Sequence, residues 1–153
     1  MATFQPQDPN FEARVRGSFA RQTLMQTIGA RLIRVAPGEV EIELPFRDDL
    51  GQQHGFLHAG IVTAIADTAC GYAALSLMPA DASVLTVEFK VNLLSPAKGR
   101  RMIARGRVTK PGRTLSVCAG DVVGVTDGQE KAIATMLATM MAIHERADIR
   151  SGL

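Results

Sequence analysis

Between His58 and Pro79 the chain runs HAGIVTAIADTACGYAALSLM, a stretch in which Asp67 is the only acid and neither Lys nor Arg occurs. Removing an ionised carboxylate from water is unfavourable unless partners or a functional site compensate, so Asp67 is the first candidate for chemistry, as a group that exchanges a proton. On the residues alone, a capped structural carboxylate and a catalytic one stay equally open. Cys70 falls on the same helix face, but the neighbouring anion discourages its thiolate and disfavours a nucleophilic role. His58 reads first as orienting its turn through the ring nitrogens, and His54 as a solvent-facing loop residue. From Lys98 to Arg113 the chain carries Lys98, Arg100, Arg101, Arg105, Arg107, Lys110 and Arg113 with no acid. Arg101, Arg105 and Arg107 share one strand face and, with Arg113, are candidates for reading phosphates; a solvated outer sheet face is the alternative.

The elements that must position these groups follow from periodicity. Phe11, Val15, Phe19, Leu24 and Ile28 predict a helix over 10–28. Val40, Ile42 and Leu44 alternate with Glu39, Glu41 and Glu43 behind the Pro37-Gly38 turn, which predicts a hairpin over 31–44 with one wet face. Residues 48–57 read as a loop. Residues 59–77 predict a helix closed by Pro79; it is apolar all round, so other elements must enclose it on most sides. Four strands follow, over 85–94, 102–109, 115–125 and 132–143. In the first of them Val87, Phe89, Val91 and Leu93 alternate with Thr86, Glu88, Lys90 and Asn92. Asp127-Gly128 marks a tight hairpin, and it decides the last segment as a strand despite its Ala and Met content. Gly106, Gly120 and Gly124 mark places where a curved sheet bends or another backbone comes close. The order predicts an α+β domain, an antiparallel sheet wrapped around a long central helix.

At 153 residues the chain has room for one domain, divided here into an N-terminal segment with a helix (1–29), the main domain (30–145) and a C-terminal tail (146–153). The segment from Gly60 to Met78 approaches the length of a membrane span, but its Ala, Gly and Thr content and the central Asp67 argue against one. No secretory signal is visible, so the cytoplasm is the expected compartment. Cys70 and Cys118 form neither a disulfide framework nor a metal-ligand spacing, and no metal is expected. Nucleic acid is a poor partner for the basic stretch because no recognition-helix motif or aromatic platform accompanies it.

At Gln52-Gln53-His54-Gly55-Phe56-Leu57-His58-Ala59-Gly60, followed by Ala66-Asp67-Thr68-Ala69, the sequence resembles the hot-dog acyl-CoA thioesterases of the phenylacetate-pathway (PaaI-like) family. Thr86-Val87-Glu88-Phe89-Lys90-Val91-Asn92, running into Ser95-Pro96-Ala97, is similar to that family's next strand and turn, so the resemblance spans Gly38 to Ile143. It implies a single-domain hot-dog fold. It places the family's helix acid on Asp67 and its His-Gly-Gly turn on His58-Ala59-Gly60, where one glycine is replaced. The family's loop Asn, six residues before that His, falls on Gln52, and the polar residue of the next strand on Thr86.

Thioester hydrolysis needs a base for water and donors for the developing oxyanion. Asp67 suits the first role, and the N–H groups of Ala59 and Gly60 at the positive end of the helix suit the second. A rise of about 1.5 Å per residue separates Asp67 from Ala59 by roughly 12 Å along the axis, far beyond proton-transfer reach. The expectation is therefore a homodimer with antiparallel central helices, extended to a dimer of dimers, in which Asp67 of one subunit faces the His58-Ala59-Gly60 turn of the other. Gln52 would bond the water or the thioester, and Thr86 would position Asp67 or the water. The expected substrate is a fatty or aryl acyl-CoA, with coenzyme A entering as part of the substrate, its phosphates read by Arg101, Arg105, Arg107 and Arg113, and no separate cofactor. A hot-dog dehydratase acting on acyl thioesters and a non-catalytic acyl-CoA binder are the competing readings.

Overall fold

The computed structural model describes residues 3–144. Helices α1 (Phe11–Arg21) and α2 (Thr23–Ile28) lead into strands β1 (Arg31–Ala36) and β2 (Glu39–Pro45), a short 3-10 turn at Asp48–Leu50, and helix α3 (Ala59–Leu75). Strands β3 (Ala82–Leu93), β4 (Arg101–Lys110), β5 (Leu115–Thr126) and β6 (Gln129–His144) complete the order. All six strands join one antiparallel sheet in the order β1-β2-β4-β5-β6-β3, with α3 packed across β4, β2 and β5. This is the predicted α+β hot-dog architecture. The C-terminal tail assigned to 146–153 lies outside the described residues.

The period-two pattern of β2 sends Val40, Ile42 and Leu44 into the core beneath α3 and Glu39, Glu41 and Glu43 to the outer face. Asp127 and Gly128 both take positive φ, 49° and 78°, the backbone twist a two-residue hairpin requires, and they pair β5 with β6. That pairing holds 129–144 in the sheet although its Ala and Met content favours helix.

One prediction is corrected at the N-terminus: the helix read as continuous over 10–28 is broken at Gln22, whose backbone is extended (φ −80°, ψ 100°), and α2 ends at Gly29 in the left-handed region (φ 77°). Neither Gly nor Pro marks the break. Instead the side chain of Gln22 bonds α3, with Thr68 Oγ1 3.3 Å from its Oε1 and its Nε2 3.4 Å from Tyr72 Oη.

The seat of α3 is set by glycine. A Cβ built at Gly106 of β4 would stand 2.3 Å from the carbonyl carbon of Ala69, and one at Gly120 of β5 would stand 2.8 Å from Cys70 Sγ. Gly124 meets the carbonyl oxygen of Lys98 in the same way, at 2.2 Å. The helix backbone therefore lies directly on the strand backbone. At its far end α3 is tied down by Arg14, whose guanidinium donates to the carbonyls of Leu75 (2.9 Å), Met78 (2.7 Å) and Pro79 (2.5 Å) and lies 3.3 Å from Asp8. The Leu75 carbonyl is the last of α3 and also accepts the Met78 N–H at 3.1 Å, while those of Met78 and Pro79 lie just past the helix; the negative end of the helix dipole suits a cation there. Among the described residues no helix is long and apolar enough to cross a membrane.

Replacing Gly106 by Ala is expected to destabilise the fold by about 2 kcal/mol or more, since backbone rather than a flexible side chain blocks the added methyl. A denaturant midpoint no lower than that of the parent would show that α3 is not seated there.

Candidate active site

The first turn of α3 opens on one donor. His58 is the N-cap, with extended backbone (φ −62°, ψ 137°), and its Nδ1 accepts the N–H of Gly60 at 2.8 Å. That role places the ring proton on Nε2. The carbonyl of His58 accepts the N–H groups of Ile61 (3.0 Å) and Val62 (3.3 Å). Of the four N–H groups a helix start leaves free, only that of Ala59 has no partner among the described residues. Gly60, expected as a second donor to an oxyanion, is thus already engaged by the imidazole. His58 is held in place by its own N–H on Leu50 O at 3.0 Å.

Gln52 lies in the compact turn before this cap, where its Oε1 accepts the N–H of His54. Its Nε2 has no partner among the described residues. Gln52, Phe56, His58, Ala59, Leu93 and Pro96 line a cleft of about 610 Å³.

Asp67 stands two turns further along α3, in a different cleft. Thr86 Oγ1 donates to its Oδ1 at 2.8 Å, and no cation pairs with it among the described residues. Desolvation raises the carboxyl above its ordinary range, and the Thr86 hydrogen bond opposes that shift. Thr86 reaches Asp67 through an irregularity the alternation pattern does not disclose. In the β3–β6 ladder Thr86 faces Met140 and Glu88 faces Thr139, leaving Val87 as an unpaired extra residue. This bulge puts Thr86 on the helix face together with Phe89 and Val91, whose partners Ala138 and Met136 are buried, whereas strict alternation groups it with Glu88 and Lys90. Around Asp67 the cleft of about 430 Å³ is walled by α1 and α3, with Arg14, Ser18, Gln22, Tyr72 and Thr86 in its lining. Of these, Ser18, Gln22 and Tyr72 were missed by sequence reasoning; a polar stripe on an amphipathic helix signals solvent as readily as a site.

The basic cluster takes the second of its two readings, a solvated outer sheet face. On the outer sheet face, away from α3, Arg101 lies 3.3 Å from Glu43, Arg107 is 2.6 Å from Asp121, and Arg105 is 2.7 Å from Glu130 and 3.6 Å from Glu41. Cross-strand carboxylates already neutralise these three cations, so the arrangement does not support their reading of phosphates. Arg113 is separate from them, beside Ser116, Met78 and His144 at the far end of α3. Cys70 and Cys118 are buried free thiols, both raised by burial, Cys118 to about 12, which disfavours a thiolate at either position.

Residues 54–131 match the family model of the thioesterase superfamily. A solved thioesterase family protein from Silicibacter pomeroyi is 56% identical and superposes with a TM-score of 0.87, covering 88% of this chain and 99% of its own. The Listeria monocytogenes 1,4-dihydroxy-2-naphthoyl-CoA hydrolase is 24% identical over 80% of this chain and 98% of its own length. The Escherichia coli PaaI protein of the phenylacetic acid degradation operon shares the fold, with a TM-score of 0.80 at 17% identity over 90% and 96% of the two chains.

An acid whose folded-state pKa is raised favours folding below its unfolded value and opposes it once ionised. Asp67→Asn, which keeps an acceptor for Thr86, is therefore expected to raise the melting temperature at neutral pH. The gain should vanish as the pH falls below the ordinary carboxylate value of about 4. A variant that melts lower than the parent at neutral pH would show that the charge is compensated.

Proposed function

Since the chain belongs to the thioesterase superfamily and is a thioester hydrolase, we propose that it cleaves a fatty or aryl acyl-CoA to the free acid and coenzyme A, at a site shared by two subunits. The reading is carried by one observation: an unpaired, half-buried carboxylate and a single open helix N–H lie in two separate clefts of the same chain. They stand about 12 Å apart along α3 at 1.5 Å per residue, so each lacks its complement within one chain. An antiparallel pairing of α3 about a two-fold axis supplies it, bringing Asp67 of one protomer opposite Ala59 of its partner, and generates two equivalent sites.

Two surfaces support that pairing. On α3 the less covered residues Gly60, Ala64, Asp67 and Gly71 recur at helical spacing and form one stripe. Strand β3 ends the sheet with apolar side chains in the open, Val87 at 51%, Phe89 at 42% and Leu93 at 55% exposure, an unusual state for a sheet edge unless another strand covers it.

In the shared site Asp67 accepts a proton from water as the water oxygen attacks the thioester carbonyl carbon. The N–H of Ala59 receives the charge that develops on the carbonyl oxygen. The C–S bond then breaks, and the proton returns from the Asp67 carboxyl to the departing thiolate, giving the acid and the thiol. Thr86 orients the carboxylate and favours its ionised form against the desolvation that opposes it. His58 keeps Gly60 and the turn in place so that the Ala59 N–H stays aimed outward, and Gln52 presents its free amide N–H to the water or the thioester.

Asp67→Asn should lower kcat on acyl-CoA by about 10²-fold or more with little change in KM. Thr86→Val should move the acid limb of kcat/KM to higher pH, because it removes the one contact that favours the ionised form. The shared site has a sharper test. Ala59→Pro deletes only the N–H, at the first helical position where proline fits. Mixed and reassembled with Asp67→Asn, it should recover about a quarter of parental activity, half the dimers being mixed and each holding one intact site. No recovery on mixing, with subunit exchange verified, would place both groups in one chain.

A further inference from the structure

The cleft that holds Asp67 continues along α3 past Thr68 and Gly71 to Tyr72, and its facing wall is α1. Four polar side chains, Ser18 and Gln22 from α1 and its C-cap and Thr68 and Tyr72 from α3, bridge the two helices there. Ser18 Oγ lies 3.1 Å from Tyr72 Oη, Gln22 Nε2 donates to Tyr72 Oη at 3.4 Å, and Thr68 Oγ1 donates to Gln22 Oε1 at 3.3 Å. Gln22 is available for this because the chain breaks its helix there, and the Arg14 contacts with the end of α3 hold α1 in place.

The group retains hydrogen-bonding capacity. A primary amide has two N–H donors, and Gln22 uses one; Ser18 and Tyr72 share one hydrogen bond between two hydroxyls, leaving a second hydroxyl hydrogen. Its charge gives no reason to expect coenzyme A there: Arg14 and Arg21 in the lining are balanced by Asp67 and Asp81, with no surplus for phosphates. The acyl group is the part of the substrate that fits a neutral polar wall. Ser18, Gln22 and Tyr72 lie beyond Asp67 and Thr86 along the cleft and include no group suited to activate water, so α1 is placed to contact the acyl group rather than the bond being broken.

We propose that Ser18, Gln22 and Tyr72 form a specificity wall that selects acyl groups carrying a hydrogen-bond-accepting oxygen over hydrocarbon chains of equal length. The inference rests on the acyl-CoA hydrolysis proposed above and deepens it. Tyr72 stands five residues beyond Asp67, about 7.5 Å along the helix, so the oxygen belongs several bonds beyond the thioester carbonyl. A hydrocarbon terminus there excludes water and leaves the Gln22 donor unmatched, while an oxygen restores the bond.

The test is thiol release by the full chain from hexanoyl-CoA and 6-hydroxyhexanoyl-CoA. The parent protein should favour the hydroxylated substrate in kcat/KM by about tenfold. Gln22→Leu should reverse that order by raising the value for hexanoyl-CoA and lowering the other. Ser18→Ala should narrow the ratio, and it gives the readout if Gln22→Leu does not fold. A parent ratio near one, a ratio unmoved by either variant, or an equal change for both substrates, as a wall meeting the pantetheine arm would give, overturns the proposal. Absence of turnover with these and with aromatic acyl-CoA substrates overturns the hydrolytic reading beneath it, and the wall with it.

Discussion

The contact of α3 with the bare backbone of Gly106 fixes where everything else in this molecule stands. A helix apolar on nearly every side has to be enclosed, and the enclosure here is close enough that a methyl group on β4 would collide with the carbonyl of Ala69. Two residues before that point of contact, Asp67 is rotated just out of the sheet and into the cleft under α1. Its position is therefore set by backbone packing. Its protonation energy follows from the same geometry, since burial raises the carboxyl and the Thr86 hydroxyl alone opposes the shift.

The two ends of α3 are treated differently. At the C-terminal end Arg14 donates to the carbonyl of Leu75 and to those of Met78 and Pro79 just beyond it, and fastens α1 across the Asp67 cleft. At the N-terminal end satisfaction is incomplete in a selective way: the ring and carbonyl of His58 take the N–H groups of Gly60, Ile61 and Val62 and leave that of Ala59. A helix start with several open donors would attract water in many arrangements. One with a single open donor presents a defined point for a carbonyl oxygen, with the helix dipole behind it. An Ala at position 59 leaves this donor intact, because the N–H belongs to the backbone.

The outer sheet face shows the limit of reading charge from sequence. A run of seven cations without an acid reads as an anion site when only one strand and its turns are considered. Glu43, Glu41, Asp121 and Glu130 come from three other strands, and register alone brings them alongside Arg101, Arg105 and Arg107. Exposed pairs of this kind contribute little stability individually; they leave the face nearly neutral.

The sequence by itself determined the strands, the enclosed helix, the hairpin at Asp127-Gly128, the meaning of its strand glycines and the singular character of Asp67. Each of these follows from local periodicity, turn chemistry or the energetics of a charge in an apolar run. Only the tertiary structure decided that Gln22 breaks the first helix, that a bulge at Val87 turns Thr86 toward Asp67, and that His58 withdraws the Gly60 N–H while sparing Ala59. Those outcomes depend on partners distant in sequence: Thr68 and Tyr72 for Gln22, the β6 register for Thr86, and the Leu50 carbonyl that holds the cap for His58. A hydrogen bond between distant segments leaves no period in either one, so it becomes legible only when the chain has closed on itself.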